Sequence, residues 1–313
     1  MALSVVFFGT SAFGIPALDA LKRSSHMLLH VVTTPAKPQG RQLKTIASPV
    51  FEWAKAHAVP VTELADLKSE DIVKFLKGLN ADVFVTASFG LMLPKNILDI
   101  PKRAALNIHP SLLPKYRGAA PIHWALLNGD KKTGVCLIRM SSKLDAGDIA
   151  LVKEYPLAPD ESIFSAEEDL SRLGAALLMD GLTQLEKKAL VFVPQNEAES
   201  TYARKLTKED GRIDWKRSAQ SVQAQVRALL DWPTSFTFFE GKRIVIWACT
   251  AGLEAPVNAS PGQVLGASSK TGLTVACAAS TLEISELQLE GRKRMNVRDF
   301  LSGFGIKTGA FFE

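Results

Sequence analysis

Apolar and polar positions alternate along the first 190 or so residues in a pattern typical of strands followed by helices. Five short runs are almost wholly apolar and have the length of buried strands: residues 3–9, 28–34, 81–88, 104–108 and 133–140. Other segments place apolar residues every three to four positions, as helices do: residues 15–24, 49–57, 69–80 and 164–188. This alternation predicts an α/β unit with a mostly parallel sheet and helices on both faces.

The pattern changes in the last third of the chain. Residues 235–251 are predicted to form two strands joined by Glu240 and Gly241, and residues 261–291 a series of short strands with Gly, Ser and Lys turns. A helical segment precedes them at residues 218–230. This is typical of a small, mostly antiparallel barrel. We therefore predict three parts: a first domain at residues 1–189, a linker at 190–208 and a barrel domain at 209–313.

The positive charge is concentrated in the C-terminal part. The chain carries 37 Lys and Arg against 32 Asp and Glu, a net charge of +5. Residues 201–313 hold 15 of the basic and 11 of the acidic residues, a net of +4, so the first 200 residues hold 22 and 21, a net of +1. An excess of this kind suits an RNA-facing surface, although a solvated surface with a random imbalance gives the same numbers.

Cysteine spacing and the amino-terminal sequence bear on the compartment. The three cysteines, Cys136, Cys249 and Cys277, have no CxxC spacing and are odd in number, which favours a reducing compartment over a disulfide framework or a zinc site. The first residues lack a basic segment followed by a long apolar stretch, and no run approaches the ~18 apolar residues of a membrane span. We expect a cytoplasmic protein without a membrane partner.

Candidate chemistry begins where the predicted strand at 104–108 ends. Asn107 and His109 stand two positions apart, so both side chains leave the strand toward the same side. Asp145 follows the strand at 133–140, again at a carboxyl end, where ligands bind in open α/β sheets. An amide donor, an imidazole and a carboxylate form a possible acid–base and oxyanion-binding set. Turn and capping roles explain the same residues without catalysis.

Other chemistries have weaker support in the sequence. Ser111 follows a proline and lacks the GxSxG pattern of a nucleophilic serine. Gly9 and Gly14 do not form GxGxxG, which leaves a tight strand-to-helix turn as the simpler interpretation. There is no HExxH or comparable metal-binding spacing. The lack of these motifs favours direct transfer of a group between two substrates, without a metal, over covalent catalysis.

A long connection at residues 35–49 is rich in Pro, Gly and basic residues. Connections of this length are usually either functional or disordered. Lys37, Arg41 and Lys44 could contact phosphates, and a mobile surface loop is the alternative.

The motifs together resemble those of the folate-dependent formyltransferases. The central match is NIHPSLLPKYRGAAPIHWALLNGD at 107–130, followed by LDAGDI at 144–149. Further similar blocks are FFGTSAFGIPALDAL at 7–21, SFGLMLPK at 88–95, TYARKLTKEDGRIDW at 201–215 and RALLDWPTSFT at 227–237. The GRQLK loop at 40–44, taken with KEDGRIDW, is similar to family members that act on tRNA.

This resemblance implies a Rossmann-like catalytic domain followed by an OB-like, tRNA-binding barrel. It implies transfer of a formyl group from the cosubstrate 10-formyltetrahydrofolate to the amino group of methionine carried by initiator tRNA, without a metal. The matching site positions are Asn107, His109 and Asp145 for catalysis, Ser111, Leu112, Leu113, Pro114, Phe89 and Gly90 for folate, and Lys37, Arg41 and Lys44 for tRNA. We expect the protein to be monomeric.

Two departures and several alternatives accompany the resemblance. Phe89 stands where the family often has Tyr, and Ala36 where an acidic residue is common, which bears on tRNA affinity rather than on chemistry. Within the family, the acceptor could instead be a sugar-nucleotide amine, glycinamide ribonucleotide or water. A non-catalytic RNA-binding protein that retains a folate-like pocket is the alternative from another class.

Overall fold

The computed structural model describes residues 2–39, 44–256 and 258–313. It divides the chain into two compact units. The first unit consists of Met1–Pro121, Lys132–Pro156 and Glu167–Ala203; the second consists of Ile122–Lys131, Leu157–Ala166 and Arg204–Glu313. Each unit thus combines separate stretches of the chain, whereas each predicted part, at 1–189, 190–208 and 209–313, is one continuous stretch. Those bounds stay a prediction.

Hydrogen bonds within the second unit hold its two early stretches. The His123 ring Nε2 lies 3.2 Å from both carboxylate oxygens of Asp231. The Arg227 guanidinium donates to the carbonyl of Glu161 at 2.8 Å. These contacts explain why segments that precede residue 190 group with the C-terminal part of the chain.

The first unit is built on a seven-stranded sheet. Its strands and helices are β1 (Ser4–Gly9), α1 (Ile15–Arg23), β2 (Met27–Thr33), β3 (Lys37–Gln39), β4 (Lys44–Ile46), α2 (Pro49–Ala56), β5 (Val61–Glu63), α3 (Glu70–Gly78), β6 (Val83–Ala87), α4 (Lys95–Leu98), β7 (Ala104–His109), β8 (Arg117–Gly118), α5 (Pro121–Leu127), β9 (Lys132–Arg139), β10 (Ile149–Pro156), α6 (Ile163–Glu186) and β11 (Tyr202–Ala203). The helices α5 and α6 each begin in one unit and continue in the other.

The order of strands in this sheet is β10-β9-β7-β6-β1-β2-β5. The strands β7, β6, β1, β2 and β5 run parallel, and β9 and β10 are antiparallel additions at one side. Buried parallel strands are apolar on both faces, and every residue of β6 is buried, as the sequence pattern predicts. The carboxyl ends of β1, β2, β6 and β7 therefore lie at one edge of the sheet.

Helix starts in this unit follow local capping chemistry. Ser48 accepts a hydrogen bond from the backbone amide of Phe51 at the start of α2, and Ser69 from that of Asp71 at the start of α3. An N-cap serine satisfies an amide that has no partner inside the helix, which stabilises a helix by about 1 kcal/mol. The predicted helices at these positions are confirmed.

The basic connection contains a two-stranded ladder. Strands β3 and β4 pair antiparallel, with Lys37 opposite Ile46 and Gln39 opposite Lys44. For Lys37 and Lys44 the structure describes the backbone position alone, and Arg41 lies outside the described residues. Their contacts with tRNA stay a prediction.

The second unit is an antiparallel β structure that contains the helices α7 (Ala219–Ala228) and α8 (Val297–Gly303) together with parts of α5 and α6. Its strands are β12 (Ser235–Phe239), β13 (Lys242–Glu254), β14 (Val264–Ser268), β15 (Gly272–Ala276), β16 (Ser280–Leu289) and β17 (Met295–Asn296). The strands follow the order β12-β13-β16-β15-β14, and β17 pairs with β16. Its apolar core includes Trp215, Val222, Ile244, Val275 and Leu287.

The turn between β12 and β13 is the one that the sequence predicts. Glu240 and Gly241 both have positive φ, 49° and 73°. A two-residue hairpin turn of this kind matches the twist of the strands and tolerates Gly best at its second position. The predicted fold class, a Rossmann-like parallel sheet followed by a small antiparallel β domain, is confirmed.

Within the ranges that the structure describes, no helix is both long and apolar enough to cross a membrane.

Candidate active site

Asn107, His109 and Asp145 meet at the carboxyl edge of the parallel sheet. Asn107 and His109 end β7, and Asp145 lies in the loop between β9 and β10. The Asn107 amide Nδ2 donates to Asp145 Oδ1 at 3.4 Å, and His109 Nδ1 lies 3.6 Å from Asp145 Oδ2. Two segments separated by 36 residues or more thus bring an amide, an imidazole and a carboxylate to one place. Their catalytic roles stay a prediction, which the proposal below develops.

The Asn107 amide is oriented by a neighbouring strand. Thr86 on β6 donates its hydroxyl hydrogen to Asn107 Oδ1 at 2.7 Å. The oxygen of the amide is therefore occupied, and the NH₂ group faces Asp145. Since this group has two hydrogens, one remains to donate to a substrate oxygen.

The imidazole of His109 is held on its far side. Its Nε2 lies 3.0 Å from the carbonyl oxygen of Tyr116, which can only accept, so Nε2 carries a hydrogen in this contact. This assigns Nδ1 as the nitrogen that faces the Asp145 carboxylate. At 3.6 Å the two are too far apart for a direct hydrogen bond. The ring is only 3% exposed, so its orientation is fixed by its surroundings.

The Asp145 carboxylate accepts a backbone hydrogen bond as well. The amide of Gly118 donates to Oδ2 at 2.9 Å. Asp145 itself has φ of 49°, in the left-handed region that side-chain-bearing residues rarely adopt. Two residues later, a Cβ added to Gly147 would lie 1.7 Å from the carbonyl oxygen of Arg139. Backbone packing therefore fixes the loop that presents the carboxylate.

The predicted folate turn is only partly accessible. Ser111 is fully buried and donates its hydroxyl hydrogen to the carbonyl of Lys115 at 2.7 Å. Leu113 packs with Cys136 and Ile138 in a small apolar cluster. Leu112 and Pro114 are half-buried and so offer side-chain surface to a ligand. Through these buried contacts, Ser111 and Leu113 stabilise the conformation of the turn.

A cavity of about 460 Å³ opens at the same sheet edge. Its lining includes Thr10 after β1, Thr34 after β2, and Phe89 and Gly90 after β6. The Phe89 ring is 4% exposed and packs edge-on against Phe8 in the core, with centroids 5.4 Å apart. If position 89 were Tyr, its hydroxyl would be attached to a ring that is buried in the same way. Gly90, with φ of 80°, is exposed at the rim of the cavity.

Cys136 does not act as a nucleophile in this site. It lies opposite His109 in the pairing of β7 with β9 and is fully buried. Burial raises the pKa of its thiol to about 11, which keeps it protonated near neutral pH. Across the described ranges, no group of three or more His, Cys, Asp or Glu side chains could hold a metal ion.

Sequence reasoning missed four residues that support the site. Thr86 is a polar residue inside an apolar run, which is a signal that the sequence offers. The carbonyl of Tyr116 and the side chains of Arg117 and Gln195 gave no comparable signal, because their roles depend on distant segments. Gln195 lies in the predicted linker and donates to the carbonyl of Asp145 at 2.7 Å.

The Rossmann-like sheet brings an amide, an imidazole and a carboxylate together near the edge at which a cavity opens, an arrangement that suits a group-transfer enzyme. The formyl transferase family model matches residues 2–182, and the model of the formyl transferase C-terminal domain matches residues 205–305. The chain therefore belongs to the formyl transferase family.

Full-length relatives are similar along almost the whole chain. A methionyl-tRNA formyltransferase from Alkaliphilus oremlandii is 39% identical over 307 residues, which cover 98% of this chain and 98% of the relative. A methionyl-tRNA formyltransferase from Citrifermentans bemidjiense is 39% identical over 98% of this chain and 95% of its own length.

Solved structures share the fold at low sequence identity. HypX from Aquifex aeolicus in complex with tetrahydrofolic acid has a TM-score of 0.64 at 15% identity, over 99% of this chain and 51% of that one. An N-formyltransferase from Helicobacter canadensis, with folinic acid and dTDP-3-aminofucose, has a TM-score of 0.63 at 14% identity, over 91% of this chain and 99% of that one. The chain thus spans about half the length of HypX.

Proposed function

We propose that this chain transfers the formyl group of 10-formyltetrahydrofolate to the amino group of methionyl initiator tRNA. The observation that carries the proposal is the convergence of Asn107, His109 and Asp145 at one sheet edge. The full-length relatives named methionyl-tRNA formyltransferase support tRNA as the acceptor. They do not favour a sugar-nucleotide amine or glycinamide ribonucleotide.

The surface beside the trio suits a reduced folate. Leu112 and Pro114 offer apolar surface, and the cavity near Gly90 is lined by small, apolar and hydroxyl-bearing residues without a charge. Largely apolar pockets with a few fixed polar groups are typical of sites for small heterocyclic ligands. When bound, the folate supplies the formyl carbonyl that the methionyl amine attacks. As the new carbon–nitrogen bond forms, the bond between the formyl carbon and the folate nitrogen breaks, and tetrahydrofolate leaves with a proton in place of the formyl group.

Each member of the trio has a defined role in this proposal. Asn107 donates its NH₂ hydrogen to the formyl oxygen as that oxygen gains negative charge. A single donor of this kind is typically worth ~3 kcal/mol, or about a hundredfold to a thousandfold in kcat. His109 supports the same oxygen and moves protons through Nδ1, because its Nε2 hydrogen is bound to the Tyr116 carbonyl, and Asp145 orients the imidazole or accepts the proton of the amine through water.

The second unit and the basic connection bind tRNA through its phosphates. Residues 201–313 carry the larger part of the net positive charge, +4 of +5. Arg41 and its neighbours Lys37 and Lys44 contact the acceptor end. Phosphate contacts release counterions, so the affinity for tRNA falls steeply as salt rises. We place the reaction, with its tRNA and folate substrates, in the cytoplasm, and the enzyme acts as a monomer.

The direct test is formation of formylmethionyl-tRNA. Purified protein is incubated with 10-formyltetrahydrofolate and methionyl initiator tRNA, with free methionine as the control acceptor. Asn107→Ala, His109→Ala and Asp145→Ala should each lower kcat at least about a hundredfold while far-UV circular dichroism is unchanged. Asn96→Ala, an exposed amide on α4 of the same unit, is the matched control and should keep wild-type kcat. Formylation of free methionine alone, or wild-type kcat in all three variants, would contradict the proposal.

The contribution of the basic connection is measured separately. The Kd for methionyl initiator tRNA should rise by at least about tenfold between 50 and 200 mM salt if three or more phosphates are contacted. Arg41→Ala should raise this Kd while the affinity for the folate stays the same. A Kd that does not change with salt would count against phosphate recognition.

A further inference from the structure

Arg117 is a charged side chain buried beneath the candidate site. It is 1% exposed and is among the largest fully buried side chains of the described residues. Its Nε and Nη2 donate to Gln195 Oε1 at 3.0 and 2.7 Å, and its Nη1 and Nη2 donate to the Glu197 carboxylate at 3.0 and 2.9 Å. A buried guanidinium needs such partners, because an unpaired buried charge is strongly destabilising. Arg117 is thereby committed to Gln195 and Glu197.

The Gln195 side chain links Arg117 to the loop that carries Asp145. Its Nε2 donates to the carbonyl oxygens of Asp145 and Gly147, both at 2.7 Å. Because Oε1 accepts from Arg117, the orientation of the Gln195 amide is fixed, and Nε2 can only face the loop. The carbonyl of the proposed proton acceptor is thus connected to Arg117 through one side chain.

The backbone of residues 193–203, which we call the crossing segment, contacts both halves of the site. Val193 pairs with Ile149 behind the Asp145 loop. At its other end, the carbonyl of Thr201 accepts from the amide of Arg117 at 2.9 Å, and β11 runs parallel to β8, where Gly118 lies. The Tyr116 amide donates to the Thr201 hydroxyl at 2.9 Å. The crossing segment therefore ties the turn that supports His109 to the loop that carries Asp145.

We propose that Gln195, held by Arg117, is a positioning residue that fixes the Asp145 carboxylate against Asn107 and His109. The Asp145 backbone has a conformation that costs free energy, and two hydrogen bonds from Gln195 to this loop offset that cost. Among the described residues, the hydrogen bonds of the Gln195 side chain go to Arg117, Asp145 and Gly147 and not to Asn107 or His109, so Gln195 acts through the Asp145 loop. This inference rests on the proposed function, since it assigns Asp145 a role in formyl transfer.

The test compares two variants that break different parts of the connection. Gln195→Met keeps the length of the side chain and removes both donor and acceptor. Gln195→Glu keeps an acceptor for Arg117 and removes the donors to the loop. Each should lower kcat for methionyl-tRNA by ten- to a hundredfold while KM for either substrate changes less than threefold. Gln220→Met, the same substitution at an exposed glutamine of α7, is the matched control and should keep wild-type kcat.

A double-mutant cycle separates positioning from general stability. If Gln195 acts through Asp145, Gln195→Met should cost less than threefold in kcat when it is added to Asp145→Asn. An equal loss in both backgrounds, or wild-type kcat in both Gln195 variants, overturns the inference. If one of these variants does not fold, the other decides alone. Wild-type enzyme that forms no formylmethionyl-tRNA is a separate result, which contradicts the proposed function itself.

Discussion

Thr86 and Asn107 are direct partners in the pairing of β6 with β7, and the Thr86 hydroxyl donates to Asn107 Oδ1 at 2.7 Å. The sheet register thus places a hydroxyl donor beside the one amide oxygen that must face away from the substrate. The same hydroxyl also lies 3.3 Å from the Leu106 carbonyl and the Met140 sulfur. Because a hydroxyl has one hydrogen, the shortest contact decides its direction, and this sets the NH₂ group toward Asp145.

Thr86→Val should therefore misorient the Asn107 amide, because valine has nearly the same shape as threonine but lacks the hydroxyl. The substitution leaves the half-buried Asn107 Oδ1 without its donor, which costs at most the roughly 1–3 kcal/mol of a fully buried unsatisfied acceptor. We expect kcat to fall by about tenfold. The free energy of unfolding should fall by up to about 3 kcal/mol. Thr86→Ser keeps the hydroxyl and should retain most of the kcat. Equal losses in Val and Ser variants would show that the methyl group, and not the hydroxyl, matters.

Gly147→Ala should displace the loop of Asp145. An added Cβ would lie 1.7 Å from the Arg139 carbonyl oxygen, so the backbone must move. Displacements of about 1 Å in an active site can cost about a hundredfold in rate, and we expect a fall in kcat of that size. Gly78→Ala is the control, since a Cβ at this end of α3 meets nothing within 4 Å. Steady-state kinetics and thermal unfolding of both variants check the prediction, and unchanged kcat in Gly147→Ala would contradict it.

Acid should weaken the first unit through His30. Burial lowers the pKa of this imidazole below its ordinary value of 6.5, and its Nε2 lies 2.8 Å from the Thr62 hydroxyl. The unfolded chain then binds a proton more readily than the folded one, so stability is fully present above pH 6.5 and is lost as the pH falls. His30→Gln should reduce the loss of unfolding free energy between about pH 7.5 and 5 in urea titrations. Identical pH dependence of the unfolding free energy in wild type and His30→Gln would contradict the assignment.

The three thiols should resist alkylation in the folded protein. Burial raises the pKa of Cys136 and Cys277 to about 11 and that of Cys249 to about 12. Since the thiolate is the reactive form, iodoacetamide at about pH 8 should modify few of them in the native state and all of them in urea. Mass spectrometry counts the adducts. Rapid native modification of Cys136 would show that the sheet edge near His109 opens.

Much of the fold followed from local pattern. Continuous apolar runs marked the buried parallel strands, apolar positions three to four residues apart marked the helices at 49–57 and 69–80, and Glu240 with Gly241 marked a hairpin. These features could be predicted because a strand buried on both faces, an amphipathic helix and a tight turn each depend on neighbouring residues.

The site was predicted less completely. Asn107 and His109 could be proposed because they lie at the carboxyl end of a predicted parallel strand, where ligands bind. Asp145 was proposed on the same ground, but β9 runs antiparallel to β7 and ends at the other edge, and the loop after β9 brings Asp145 back to Asn107 and His109. Ser111 and Leu113 matched the predicted folate turn, yet the structure buries both of them. The burial of a turn depends on which other segments pack over it, so the residues of the turn are not enough to predict it.

The sequence by itself determined most of the long strands and helices, the class of the fold and the two polar residues, Asn107 and His109, at the carboxyl end of β7. Local spacing was enough, because periodicity of two or 3.6 residues records which face of an element is apolar. The tertiary structure alone decided how those groups are oriented. Thr86 comes from a neighbouring strand, and the Gln195 side chain reaches the Asp145 carbonyl across 50 residues of chain. Hydrogen bonds are directional and short, so such partners become known only when the folded backbone brings distant segments within about 3 Å.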